Sequence, residues 1–307
     1  MTAYATLAAF RSRLSGDTPV MSGAWDETIV DILAQVSDVI DEEVRNLRGQ
    51  PPGWSFLASS AYGVQVVSIS GKATGTFTLT SGSSTTVAID AAASAATVQA
   101  ALDTILGSGN SVVTGAPGGP WTVTFAGTLT GAQDVLVPVS TFTPTTAHAV
   151  VEEIVTGSVD SVTRRYTGTS GSDLVLIDDC VSVSAVSILT ATGAVAQTLT
   201  LNTDYVTVPL QGSPIIGLRL TYGTWPGYPG GVSVTMRPGF GLTIPPSITR
   251  VALQEAIRGY RGAQAGEDDR LGLTPFGSVA VSKALLASSA RTLSRFRLGA
   301  GFLRSGF

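Results

Sequence analysis

Apolar residues recur with helical spacing at the two ends of this chain and with a spacing of two through its long middle. That switch of period constrains the fold more than any other feature. Near the start, Ile29, Ile32, Leu33, Val36, Val39, Ile40, Val44 and Leu47 follow the i, i+3, i+4, i+7 pattern of one buried helix face. Asp26, Glu27 and Asp31 lie in the first turns and Arg45 and Arg48 in the last, which suits the helix dipole. The spacing predicts a helix over 25–47, stopped by Gln50-Pro51-Pro52-Gly53, and a shorter one before it over 3–14 on Leu7, Phe10 and Leu14. Near the end, Ile248, Ala252, Ala256 and Tyr260 form a second stripe, with Val251, Leu253 and Ile257 beside it. A polar, Gly-rich break over 262–272 precedes a last helical segment ending near Phe296, whose start falls at Pro275 or near Ser282.

The middle alternates. Thr76-Phe77-Thr78-Leu79-Thr80 and Trp121-Thr122-Val123-Thr124-Phe125 read as strands, as does Gln65 to Ile69. An Ala-rich helix over 91–106 interrupts them, with Val98, Leu102 and Ile105 on one face. Further strands follow at Leu174 to Ile177, Val181 to Ile188, Gln197 to Leu201, Tyr205 to Val208, Leu218 to Tyr222 and Val232 to Met236, with Gly/Pro turns between them. The expected fold class is α+β: a helical bundle made of N-terminal and C-terminal helix pairs, a β-rich region, and an inserted β-sandwich-like domain. The boundaries fall at 1–61 for the N-terminal helices, 62–157 for the insert, 158–243 for the β-rich region and 244–307 for the C-terminal helices and tail.

Charge is unevenly spread. Residues 241–307 carry nine basic and four acidic side chains, whereas residues 1–240 carry nine basic and eighteen acidic. Sixteen of the eighteen basic residues are Arg, a side chain suited to fixed, bidentate contacts at interfaces; a GC-rich genome gives the same bias. The single Cys180 excludes an internal disulfide and a Cys-based zinc site. No apolar run approaches a membrane span, so no membrane partner is expected. The first residues show no basic stretch followed by an apolar core, so no secretory signal is expected.

Chemistry finds little support. His148 is the only histidine and stands between alanines, which suits a surface or core role. No Ser/His/Asp arrangement is apparent. Asp178-Asp179 could suggest a metal, but neighbours in a strand point to opposite faces, so a turn is expected there. The glycines over 115–119 lack the Lys-Ser/Thr of a phosphate loop. Cys180 reads as a small buried residue. The chain is therefore expected not to be an enzyme and to need no cofactor or metal.

Two resemblances add to this reading. Gln65 to Gly71, Gly75 to Thr80, Ala93 to Leu102 and Trp121 to Gly127 together resemble a β-module inserted in many tailed-phage virion proteins. Outside it, Arg164-Arg165-Tyr166-Thr167-Gly168, then Leu174 to Val183, Asp204-Tyr205-Val206, Val232 to Thr235, Pro246-Ser247-Ile248 and Leu293 to Gly299 resemble, in that order, the head–tail connector (adaptor) family of siphophage-type tailed phages. The resemblance covers about residues 1–60 and 158–300; residues 300–307 depart from it. It implies a structural virion protein of the neck, assembled in the host cytoplasm. It further implies a homo-oligomeric ring, by resemblance of twelve, seated under the portal protein. The ring would extend the channel for double-stranded DNA and meet a head-closure or tail-terminator protein below. The insert would face outward.

Within that frame the C-terminal residues Arg295, Phe296, Arg297, Leu298, Phe302, Leu303, Arg304 and Phe307 are the candidate portal-docking segment, because aromatic and Arg side chains are the usual interface anchors. The bland alternative is a frayed end. Asp31, Asp38, Glu42, Arg258, Arg261 and Arg270 are candidates for lining the channel or joining subunits. An acidic lumen would repel phosphates and let DNA slide; solvated faces or pairs across a subunit boundary explain the same charges. A second reading makes the insert a carbohydrate- or surface-binding module on a tail or decoration protein. It requires Trp121 and Phe125 to be exposed as stacking platforms.

Overall fold

The computed structural model describes residues 3–16, 25–52, 54–70, 73–158, 161–264 and 285–297. Their architecture is α+β, with five α-helices and three antiparallel sheets among the described residues. The chain separates into two compact units. The first is Met1–Ile40, Ser60–Ser158 and Pro246–Thr292; the second is Asp41–Ser59, Val159–Pro245 and Leu293–Phe307.

The first unit holds helix α1 (Leu7–Arg13) and most of α2 (Asp26–Arg48), which crosses into the second unit at Asp41. Ile29, Ile32, Leu33, Val36 and Ile40 of α2 are buried, as their spacing requires. Helix α4 (Pro246–Gln264) buries Ile248, Val251, Ala252, Ala256 and Tyr260 in the same unit. Tyr260 is where the chain ends meet: its ring lies edge-on to Phe10 at 5.6 Å and to Trp25 at 5.7 Å, a favoured aromatic geometry. Helix α5 (Ala287–Leu293) is shorter than expected, and the proposed starts at Pro275 and Ser282 lie outside the described residues.

Residues 62–157 contribute two sheets and one helix to this unit. Strands β1 (Val64–Ile69), β5 (Ser111–Gly115), β6 (Trp121–Phe125) and β8 (Ala149–Val155) form a sheet in the order β5-β6-β1-β8. Strands β2 (Thr74–Ser81), β3 (Ser84–Thr85) and β4 (Ile89–Asp90) form another, with β7 (Val137–Thr143) paired to β2. Phe77, Leu79, Val98, Leu102, Trp121, Val123 and Phe142 belong to one core drawn from both sheets and from helix α3 (Ala95–Leu106). Gly75 permits the close β2–β7 approach: its φ is +112°, and a Cβ there would lie 2.4 Å from the Thr141 carbonyl oxygen.

Helix α3 begins four residues later than its periodicity suggested, because Ser94 caps it; the Ser94 hydroxyl accepts from the Thr97 N–H at 3.2 Å. Ser94→Ala is expected to lower the first unit's unfolding free energy by about 1 kcal/mol, the usual cost of a lost N-cap, in urea titration followed by circular dichroism.

The second unit is built on β10 (Leu174–Leu189), a 16-residue strand. With β9 (Val162–Tyr166), β12 (Tyr205–Val208), β13 (Ile215–Leu220) and β14 (Val232–Pro238) it makes a sheet in the order β12-β13-β10-β14-β9, and β11 (Val195–Leu199) also pairs with β10. Here one expectation is corrected. Asp178 and Asp179 do not form a turn; both lie within β10, where the ladder shifts register on either side of Cys180. The irregularity lets the chain stay in the sheet while the two carboxylates go to different surroundings. Asp178 takes an ion pair from Arg164 Nη1 at 2.5 Å and a hydrogen bond from the Tyr166 hydroxyl at 2.8 Å. Asp179 is wholly buried elsewhere. Cys180 is buried as expected, and burial with the neighbouring carboxylates pushes its thiol up to about 12, so it is inert at ordinary pH.

Candidate assembly surfaces

Helix α4 turns an arginine face away from its core. Arg250, Gln254, Ile257, Arg258 and Arg261 follow a helical stripe opposite the buried Ile248, Ala252 and Ala256. With Arg13 from the end of α1 and Leu286 from the residues before α5, they line an open groove of about 700 Å³ whose apolar lining is Leu253, Ile257 and Leu286. Arg258 pairs with Glu255 of its own helix at 2.9 Å. Arg13, Arg250 and Arg261 make no ion pair with any described residue. Sequence reasoning found Arg258 and Arg261 but missed Arg250 and Arg13. Arg250 was discoverable, since it precedes Arg258 and Arg261 on one helical stripe.

Helix α2 presents the opposite charge. Glu27, Asp31 and Asp38 are exposed on the face away from Ile29, Leu33 and Val36. Glu42, also exposed, follows on the same helix but belongs to the second unit. Partial desolvation raises the Asp31 and Asp38 carboxyls above the usual range although both side chains are exposed, and the nearby Glu27 charge adds to the effect at Asp31. Arg270 lies outside the described residues.

In the second unit the C-terminal residues start from a fixed point. A 3₁₀ turn (Ser294–Phe296) follows α5, and the Phe296 ring packs edge-on to Phe56 at 5.0 Å and Phe240 at 5.5 Å. Arg48 Nη1 donates to the Phe296 carbonyl at 2.6 Å. Arg295 and Arg297, on either side, are exposed. Phe296 is thus committed to the aromatic cluster of its own unit, while its two Arg neighbours face solvent. Leu298, Phe302, Leu303, Arg304 and Phe307 lie outside the described residues.

The same Arg48 also forms a bidentate pair with Asp179, Nε to Oδ2 at 2.5 Å and Nη2 to Oδ1 at 2.7 Å. Trp54 Nε1 donates to Oδ2 at 3.0 Å, and Gln50 Oε1 accepts from the Asp179 N–H at 2.9 Å. Nothing in the local sequence linked Asp179 to residues so distant in the chain.

A second buried polar group, also missed, lies in the first unit. Glu152 of β8 accepts the Leu7 N–H at 2.7 Å, Asp26 pairs with Arg11, and the His148 ring stands 3.9 Å from Asp26. Glu152 is 2% exposed and its second oxygen has no hydrogen-bond partner among the described residues. Burial pushes its carboxyl up to about 7 against the opposing pull of the Leu7 N–H and Arg11. Asp26 is likewise raised by burial.

Trp121 and Phe125 are 0% and 1% exposed. Neither ring is open to solvent, so neither can serve as a stacking platform and the requirement of the carbohydrate-binding reading is not met. No group of three or more metal-ligating side chains occurs among the described residues. No helix among them is long and apolar enough to cross a membrane.

No protein-family model matches the sequence, and no curated protein matches it. Solved structures with a partial likeness include two from phage-like particles. One, from Mycobacterium phage Patience, aligns at a TM-score of 0.26 and 14% identity over 55% of this chain and 58% of its own length. The other, from the neck of a native GTA particle computed with C12 symmetry, aligns at a TM-score of 0.27 and 18% identity over 45% of this chain and 69% of its own. The chain thus spans a little over half of the first of these relatives.

Proposed function

We propose that the protein is a structural virion protein, a head–tail connector subunit that forms a ring under the portal protein. In this role it extends the channel for double-stranded DNA and joins the capsid to the tail through a head-closure or tail-terminator protein. The role is mechanical, with no enzymatic step and no cofactor. The ring number of twelve and the neck location come from the family resemblance.

The observation that carries the reading is the union of the chain ends around Tyr260. Helices from opposite ends of the sequence belong to one unit, which also holds residues 60–158. The motifs that carry the resemblance also fall on defined elements: Arg164 to Tyr166 in β9, Leu174 to Val183 in β10, Val232 to Thr235 in β14 and Pro246 to Ile248 at the start of α4. Exposed Arg295 and Arg297 mark where a docking segment would leave the body, with acidic groups on the portal as their natural partners.

Deletion of residues 299–307 tests it. The expected product keeps the circular dichroism spectrum of the full chain but no longer sediments with portal-bearing heads. Binding at the level of the full chain would reject the docking role of this segment.

A further inference from the structure

The first unit carries its two charged helix faces at matching intervals. On α4, Arg250, Arg258 and Arg261 fall at steps of eight and three residues. On α2, Glu27, Asp31 and Asp38 fall at steps of four and seven. Both sets therefore span eleven residues, which is ~16.5 Å along an α-helix at about 1.5 Å per residue. Read in reverse, the acidic set runs zero, seven, eleven against zero, eight, eleven for the arginines, a mismatch of one residue at the middle position. Read in the same direction, the middle positions miss each other by four residues, a full helical turn.

We propose that the arginine groove on α4 of one copy receives the acidic stripe on α2 of a second copy, the two helices running antiparallel. Arg250 then meets Asp38, Arg261 meets Glu27, and Asp31 stands opposite Arg258. This deepens the connector reading and rests on it for the expectation that copies assemble.

Three observations favour a second copy as the occupant. The first is the complementarity of sign and spacing. The second is the apolar part of the groove lining, Leu253, Ile257 and Leu286, which a phosphate backbone would leave uncovered but a helix would cover. On α2 the half-buried Val30 and Ala34 lie beside and between the carboxylates and offer small apolar surface to that lining. The third is that Arg250 and Arg261, the two ends of the basic set, form no ion pair within their own copy among the described residues. Two different surfaces on each copy make a heterologous contact, which repeats around a ring if its rotation closes.

The test uses the full chain and sedimentation velocity, with negative-stain images of the peaks. Arg250→Glu/Arg261→Glu and Glu27→Arg/Asp38→Arg are each expected to remain single copies at concentrations at which the unmodified chain assembles. Like charges facing each other should move the assembly midpoint by about tenfold or more. Mixing the two variants in equal amounts is expected to restore assembly, because every altered face then has a complement. For register, Arg250→Glu combined with Asp38→Arg in one chain should assemble, whereas Arg250→Glu combined with Glu27→Arg should not. Circular dichroism of each variant verifies the fold, which these exposed positions should leave intact.

Assembly of Arg250→Glu/Arg261→Glu at the unmodified level would overturn the groove assignment and leave the connector reading standing. Loss without rescue in the mixture would assign the groove to another occupant, residues 265–284 or another protein, and overturn it as well. Loss of duplex DNA binding with assembly intact would make the groove a phosphate site and overturn it equally. A chain that stays single at every concentration, alone and with portal-bearing heads, would remove both readings together.

Discussion

Arg48→Ala is expected to destabilise the second unit by about 3–5 kcal/mol, the cost of leaving a buried charge without its partner. Asp179 is 0% exposed and would keep only the Trp54 indole and no cation. The Phe296 carbonyl would lose its donor at the same time. Urea unfolding followed by the fluorescence of Trp54 and Trp225, both in this unit, would report the loss as a lower midpoint. Arg48→Met/Asp179→Leu is expected to recover part of it, since an apolar pair avoids the desolvation of two charges. Recovery should be incomplete, because Trp54 Nε1 and the Phe296 carbonyl remain unpaired. A wild-type midpoint for Arg48→Ala would show that water replaces the guanidinium, and the site would not be the closed ion pair described above. A wider effect is expected on the docking segment: without Arg48 the turn at Ser294–Phe296 loses the guanidinium that holds its Phe296 carbonyl, so Arg295 and Arg297 would leave from a looser base.

The first unit should lose stability as pH rises from about 4.5 to about 7, through Glu152. In that window the unfolded chain has released the Glu152 proton while the folded unit retains it, so each step up in pH favours unfolding. The benefit of the protonated, buried carboxyl is fully present below the unfolded value and lost as pH rises through the folded one. At about 1.4 kcal/mol for each tenfold change in proton affinity, the total is on the order of 3 kcal/mol. Glu152→Gln removes the titration but keeps an oxygen to accept the Leu7 N–H. Its stability profile between these pH values should therefore be flatter than that of the unmodified chain, and at pH 8 it should be the more stable protein. Parallel profiles for the two proteins would sink the assignment. Asp26, also raised by burial, contributes a slope of the same sign, and Arg11 and His148 face the same cluster; the difference between the two proteins isolates Glu152.

How much of this could be read from the sequence depended on whether a feature was periodic. The buried stripes of α2 and α4 were legible because a helix repeats its inward face every three or four residues, and Ile29 to Ile40 and Ile248 to Tyr260 do so without interruption. The strand of Trp121, Val123 and Phe125 was legible as a strand, but alternation alone does not say what covers a face; only the packing of Phe77 on Trp121, centroids 5.5 Å apart, settles that it is the interior one. Asp178-Asp179 misled because two adjacent carboxylates suggest a turn, and the shift of register that accommodates them in β10 leaves no local signature. The links of Arg48 to Asp179 and of Leu7 to Glu152 join residues more than a hundred positions apart, so only the folded chain brings them together. The charged faces sit between these cases: their residues were visible one by one, but their equal lengths matter only once both helices are known to be helices.

Strands β1 and β8 lie side by side, paired from Val64↔Val155 to Ile69↔Ala149, with the Ser158 N–H bonded to the Ser60 carbonyl at 2.7 Å just outside them. Departure and return therefore happen at one doorway. The entropy of closing a loop grows only slowly with its length, and here the jambs are already fastened to each other. The length of chain between Ile69 and Ala149 can therefore vary at little cost in closure, but the stem also packs on what it carries: Val67 and Ala149 share a core with Phe77 and Trp121, and His148 stands beside Asp26. The stem itself is not exchangeable, because β8 holds the Glu152 that grips the first turn of α1.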